Sequence, residues 1–302
     1  MFFSRRTILK TASLSAFSSV IPSFSIAQVD LKSSTIRTVS DGAITLPASL
    51  TFETMPQNKL EPILGEFNLS KNELIRECNV TLFENNSYKV LFDAGAGTDF
   101  LSGMGQLVDN LNAVNIRPED ITDVIFTHSH PDHLWGILDD FEELTFQNAN
   151  FHIGRKEWEF WTDPDTVNKV REDRITTAIG AKRRLEALGT NINLFENDDK
   201  ILPGIKALIT PGHTPGHMSF EVGDNSKKFL IAGDALNNHH VAFRHPEWMG
   251  GLDQDPKLAA QTRQFLLQKL TSENMGLVGF HLPNGGIGKV EETSEGYEFM
   301  EL

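Results

Sequence analysis

Between Thr127 and His133 the chain reads Thr-His-Ser-His-Pro-Asp-His. Four side chains of metal-ligating type, His128, His130, Asp132 and His133, therefore fall within six residues. The run Val124-Ile125-Phe126 before them has the apolar character of a buried strand. Imidazoles and a carboxylate crowded at a strand end are poor core material, but they suit divalent cations. His128 and His130 share one side of an extended chain. Asp132 and His133 lie past Pro131, where the chain turns into a helix, so their side chains diverge toward a second ion.

The same event recurs further on. A strand over 205–210 runs into Pro211-Gly212-His213-Thr214-Pro215-Gly216-His217. Phe229-Leu230-Ile231-Ala232 ends in Gly233-Asp234, and Leu277-Val278-Gly279-Phe280 ends in His281. Taken singly, each is equally well a satisfied polar residue at a strand end. If all converge on one sheet edge they supply seven ligands: His128, His130, Asp132, His133, His213, Asp234 and His281. Seven N and O ligands exceed one tetrahedral zinc site and suit two cations sharing a bridging carboxylate and water. Asp93, after the strand Tyr88–Phe92, is expected to accept a hydrogen bond from a ligand histidine. Gly95 and Gly97 beside it match no nucleotide-binding spacing.

The elements that must position these groups read as follows. Residues 28–42 form a loose polar lead. Residues 43–47 and 50–52 form a strand interrupted by Pro47. Residues 53–77 lack clear periodicity and form either a surface loop or a cover over a pocket. Residues 78–84 and 88–92 pair as strands around a turn-rich tripeptide. Helix is expected over 102–114, through much of 155–188 and over 256–270, with a further strand at 150–153. Trp158, Phe160 and Trp161 are read as packing. Strand and helix alternate without repeat or linker, so 28–302 reads as one layered α/β domain.

Of 302 residues, 39% are hydrophobic and 23% charged, which provides for a full core. A net charge of -14 with no basic cluster excludes a nucleic-acid partner. The single Cys78 excludes an internal disulfide and a cysteine-based zinc site. Ser4-Arg5-Arg6-Thr7-Ile8-Leu9-Lys10 resembles a bacterial twin-arginine export signal, followed by a Ser-rich apolar run and a small-residue cleavage site at Ser25-Ile26-Ala27. Residues 1–27 are thus expected to be a signal peptide read by the twin-arginine translocase, with the mature chain in the periplasm or secreted. That run is too short and polar for a stable membrane span.

His-x-His-x-Asp-His, then Pro-Gly-His-Thr-Pro-Gly-His, then Gly-Asp after a strand and a late His resemble, in that order, the metallo-β-lactamase superfamily. The resemblance covers residues 40–302. It implies a four-layer αβ/βα sandwich with the site at the seam between two sheets. It also implies one cation held by His128, His130 and His213, a second by Asp132, His133 and His281, and Asp234 bridging them. His217 falls outside the ligand set as a supporting residue. His239 and His240 are candidates for the pocket wall, and His152 and His245 are structural or surface residues. Zn2+ fits these ligands best; Mn, Fe and Co also suit them.

The expected function is that of a dinuclear hydrolase in which a metal-bridging hydroxide attacks a small ester-type or phosphotriester-type molecule. Asp132 and Asp234 are its catalytic carboxylates. Ser129 stands where di-iron reductases of the superfamily carry a carboxylate, and Asp234 is a bridge that true β-lactamases lack. Asn237 replaces a tyrosine typical of the quorum-quenching lactonases, whereas His281-Leu282-Pro283 and the leader resemble the methyl parathion hydrolase-like group. An N-acyl homoserine lactonase is the alternative; a β-lactamase and a non-catalytic metal-binding protein rank below it. A homodimer is compatible with the sequence.

Overall fold

The computed structural model describes residues 27–224 and 227–302, so the twin-arginine stretch lies outside the described residues. Two seven-stranded sheets carry the fold. The first runs in chain order through β1 (Gln28–Asp30), β2 (Thr35–Pro47), β3 (Glu73–Glu84), β4 (Lys89–Phe92), β5 (Asp123–Phe126), β6 (Asn150–Gly154) and β7 (Ile192–Phe195). The second runs in chain order through β8 (Lys200–Leu202), β9 (Ile205–Ile209), β10 (Met218–Gly223), β11 (Lys228–Ile231), β12 (Gly276–Val278), β13 (Ile287–Thr293) and β14 (Gly296–Glu301). Strands β4 to β7 are parallel, as are β11 and β12; the other pairs are antiparallel.

Alternation along the strands explains the layers. Ile125 of β5 faces the second sheet, packing with Phe92, Phe220 and Phe229, while Val124 and Phe126 face outward. There they meet the helices Leu107–Ala113 and Ile175–Ala187 through Leu111, Ala181 and Leu185. In β11, Phe229 and Ile231 face inward and Leu230 packs on the helix Pro256–Ser272 through Leu266, Leu267 and Leu270. The order is helix, sheet, sheet, helix. Each fully buried Phe or Leu side chain contributes on the order of 2 kcal/mol.

Two local expectations give way. Residues 28–42 are β1 and most of β2, a 13-residue strand, rather than a loose lead. Their polar look comes from buried groups with distant partners. Asp41 accepts from the Ala96 and Leu107 amides at 2.8 and 2.9 Å, and a register shift between Ser40 and Ala43 turns the strand there. Residues 50–52 belong to a helical turn, Ser49–Phe52, because Phe52 buries in a satellite core with Leu60, Leu64, Val241 and Trp248. The 53–77 excursion supplies a helix, Gln57–Glu66, to that satellite and then the start of β3.

Candidate metal centre

The motifs meet where the C-terminal ends of β5, β11 and β12 converge. Strand β5 ends at Phe126, His130 is extended, and Pro131 starts the short helix Pro131–Leu134. The His133 carbonyl is held by the Ala94 amide at 2.7 Å, and the Thr127 carbonyl by Met218 of the second sheet at 2.9 Å. Glycine is needed twice. Gly233, at φ 53°, brings Asp234 back over the sheet, and a Cβ there would lie 2.8 Å from His217 Nε2. A Cβ on Gly216 would lie 2.1 Å from the Glu157 nitrogen.

All seven predicted side chains are buried in one cluster. His130 Nδ1 lies 3.0 Å from His128 Nε2 and 2.9 Å from His213 Nε2. Asp234 places Oδ1 3.2 Å from His133 Nε2, and Oδ2 3.4 Å from both His213 Nε2 and His281 Nε2. Asp132 Oδ2 is 3.2 Å from His281 Nε2 and 3.6 Å from His133 Nε2. Ligand atoms about 2.1 Å from a tetrahedral ion stand about 3.4 Å apart, which is close to these spacings. Among buried side-chain atoms without a hydrogen-bond partner are His133 Nε2, His281 Nε2 and Asp234 Oδ1. Buried polar atoms are seldom left unpaired, and a cation between these three accounts for them. The residues present fit two ions, with Asp234 facing both groups.

The far side of each imidazole fixes its ligand nitrogen. His128 Nδ1 meets Thr127 Oγ1 at 3.0 Å, His133 Nδ1 meets Asp93 Oδ2 at 2.8 Å, His213 Nδ1 meets Asp253 Oδ1 at 3.0 Å, and His281 Nδ1 meets the Glu77 carbonyl at 2.7 Å. His130 alone among them has a cation there, Arg174 Nη1 at 3.2 Å from its Nε2. Asp93 holds φ 71°, a conformation that Asp and Asn adopt more readily than other non-glycine residues.

Electrostatics divide the cluster. Burial and neighbouring imidazoles push His128 and His130 well below the usual histidine range, leaving neutral ligands. Burial opposes ionisation of Asp132 and Asp234. For Asp132, His133 and His281 win and hold the carboxyl at about 2; for Asp234, His281 and His133 hold it well below the usual range. Deprotonated carboxylates and neutral imidazoles are the forms that bind metal.

A family model for the metallo-beta-lactamase superfamily matches residues 75–274. The chain belongs to the metallo-beta-lactamase superfamily. It is 28% identical over 146 residues to an N-acyl homoserine lactonase of Bacillus cereus, covering 48% of this chain and 50% of that protein. The chain thus spans about half the length of the curated relatives it matches. Two solved structures share the metallo-beta-lactamase fold over nearly the whole chain. AidC, a dizinc quorum-quenching lactonase, superposes with a TM-score of 0.86 at 22% identity, over 92% of this chain and 97% of its own. The hydrolase AbOPH superposes with a TM-score of 0.84 at 26% identity, over 92% and 97%.

Within this superfamily frame the remaining histidines have other work. His217 Nε2 accepts from the Asp234 amide at 3.0 Å and so positions the carboxylate. His239 and His240 line a cavity of about 100 Å³ with Arg76, Asn237 and His281. His152 pairs with Asp123 at 2.9 Å, and His245 stacks on Trp248. Asp253, Glu157, Arg76 and Arg174 escape sequence reading, because each is a lone residue joined to the site only by folding. Glu157 accepts from the Ser129 amide, Trp161 Nε1, Thr214 Oγ1 and the Gly216 amide at 2.9, 2.6, 2.7 and 3.1 Å. It thereby ties the first histidine motif to the second.

Asp253→Ala is expected to weaken zinc binding roughly 10–100-fold by freeing the His213 ring. Competition with a chelator reads this directly; an unchanged affinity would show that Asp253 does not orient the ligand.

Proposed function

We propose that this chain is a dinuclear metal-dependent hydrolase of small ester-type molecules, lactones included. The supporting observation is the position of Asp234, whose Oδ2 faces His213 of one ligand group and His281 of the other, while its Oδ1 faces His133. His128, His130 and His213 would hold one ion, and Asp132, His133 and His281 the other. Zn2+ is the reading preferred by the ligand types, and the dizinc AidC favours it. Two such ions, when bound, acidify a shared water and polarise the scissile carbonyl.

The chain's own residues do the rest. Asp132, held ionised by His133 and His281, offers a carboxylate that can accept a hydrogen bond from the attacking water and orient it. Arg76 Nη2 lies 3.6 Å from Asp234 Oδ2 and donates to the Asn237 carbonyl at 3.3 Å. From the wall of the small cavity it can donate to an oxyanion. Leu69, Leu74 and Ile75 complete an apolar side of that cavity.

The lactonase relatives favour a lactone as substrate, whereas Asn237 does not supply the phenol expected of that group. The test is a panel of N-acyl homoserine lactones, aryl esters and phosphotriesters, run on zinc-loaded protein with metal content measured in the same sample. Two ions per chain and metal-dependent turnover of an ester or lactone are expected. One ion per chain, or turnover that survives metal removal, overturns the dinuclear reading.

We also propose export through the twin-arginine pathway, on the strength of Arg5-Arg6 and the cleavage site at Ala27. Among the described residues no helix is long and apolar enough to cross a membrane. The intact mass of the exported protein should lack the leader, and Arg5→Lys with Arg6→Lys should retain the full-length chain in the cytoplasm.

A further inference from the structure

We propose that the larger cavity beside His130 is a carboxylate subsite, so that the substrate of this centre is an ester or lactone bearing a second, anionic group. The ligand set and its role rest on the hydrolase reading above; the binding of the anion can be measured without it.

Among the five ligand histidines, His130 is the one whose far nitrogen meets no oxygen. Thr127, Asp93, Asp253 and the Glu77 carbonyl serve the other four. His130 turns Nδ1 toward His128 and His213, so a proton on that ring sits on Nε2 whenever Nδ1 is a ligand. At 3.2 Å from Nε2 stands Arg174 Nη1, which is also a donor. Two N–H groups facing each other repel unless an acceptor lies between or beside them. A carboxylate oxygen accepts from both, and its charge answers the guanidinium.

Arg174 is otherwise under-used. Its one oxygen partner is the Leu252 carbonyl at 2.9 Å, and no carboxylate lies within 4.0 Å of it among the described residues. The surrounding charges are taken. Lys169 pairs with Asp163, and Arg171 pairs with Asp173 at 2.8 Å. Asp253 is engaged by His213, and Asp255 caps the helix Pro256–Ser272 through the Leu258 amide at 3.0 Å. Asp173, Asp253 and Asp132 act on Arg174 from a distance, but none makes a direct ion pair with it, so a guanidinium that is costly to bury still has donors to offer. Here it lines a cavity of about 520 Å³ walled by Phe160, Pro215 and Leu258, and the lining includes Gly212, the residue before His213, and Asp253, the hydrogen-bond partner of His213. The cavity therefore adjoins two histidines proposed for one ion. Its apolar walls suit the carbon chain between the reacting carbonyl and the carboxylate.

The experiment compares wild type with Arg174→Met and Arg174→Lys, all zinc-loaded and with metal content measured. Calorimetric titration with succinate and with acetate separates the second carboxylate from simple metal coordination. Wild type should bind succinate at least ~10-fold more tightly than acetate. R174M should lose that ratio, and R174K should keep part of it. In parallel, the kcat/KM ratio of mono-4-nitrophenyl succinate to 4-nitrophenyl butyrate should fall at least ~10-fold in R174M, mainly through KM. Should R174M fail to fold, R174Q replaces it. A succinate-to-acetate ratio that is near one in wild type, or unchanged in R174M, overturns the subsite. Protein that binds succinate through Arg174 yet hydrolyses neither ester supports the subsite and refutes the hydrolase reading. Protein that hydrolyses both esters with an unchanged ratio in R174M does the reverse.

Discussion

Asp234→Ala is expected to lower the metal content from two ions per chain to one or none, and kcat/KM by at least ~10³-fold. Of the two carboxylates in the cluster, Asp234 is the one that meets both histidine groups; Asp132 meets His133 and His281 of a single group. Oδ1 faces His133 at 3.2 Å, and Oδ2 faces His213 and His281 at 3.4 Å. Removing it also strips Arg76 of its carboxylate at 3.6 Å, leaving that guanidinium among buried imidazoles. Like charges would then crowd the space where cations must bind. Asp234→Asn separates shape from charge, because the amide keeps the volume and one acceptor oxygen but not the negative charge. It should rescue folding without rescuing the second ion. Metal analysis by emission spectroscopy, with kinetics on the same sample, checks both statements. Retention of two ions and a rate within tenfold of wild type in D234A would refute the bridging role.

The first motif was legible because its geometry is local. A strand, a proline and the turn of a short helix set the directions of His128, His130, Asp132 and His133 with little outside help. The three later positions were legible only together, since each is a polar residue after a buried strand and the order of motifs supplied the rest. The groups that hold those ligands were not legible. Asp253 precedes a proline-started helix and looks like part of its cap; only the fold brings it within 3.0 Å of His213. Arg174 and Arg76 look like solvated charges. Among supporting residues Asp93 is the exception, because it follows its strand in the same way the ligands follow theirs. The first part of β2, residues 35–42, was missed for a related reason. Its alternation is broken by a bulge and by buried Thr38 and Asp41, whose partners lie far along the chain. Local pattern reports the strand that ends in a ligand. It does not report the distant residue that steadies it.

Glu157 carries the largest stability prediction. Its two oxygens take four donors from three segments, and two of those donors are backbone amides that no substitution can delete. Replacing a buried acceptor strands its donors, at about 1–3 kcal/mol each and less than additively. Glu157→Ala should therefore cost ~3 kcal/mol or more at pH 6, which lowers Tm by roughly 10 °C in a chain of this size. Both metal motifs should loosen with it, so zinc affinity falls in the same variant. The pH dependence has a definite sign. Burial pushes the Glu157 carboxyl up to about 7 against its four hydrogen bonds, from an ordinary value of 4.5. Between those values the folded chain binds a proton that the unfolded chain does not, so this residue's contribution falls as pH rises through the window, by up to ~3 kcal/mol. The Tm difference between wild type and E157A should accordingly be widest near pH 5 and narrow toward pH 8, with the metal-site titrations common to both proteins cancelling. Thermal melts of chelator-treated protein across that range measure it. A loss below about 2 °C at pH 6, or a gap that does not change with pH, would show that Glu157 fills space beside the two loops rather than joining them.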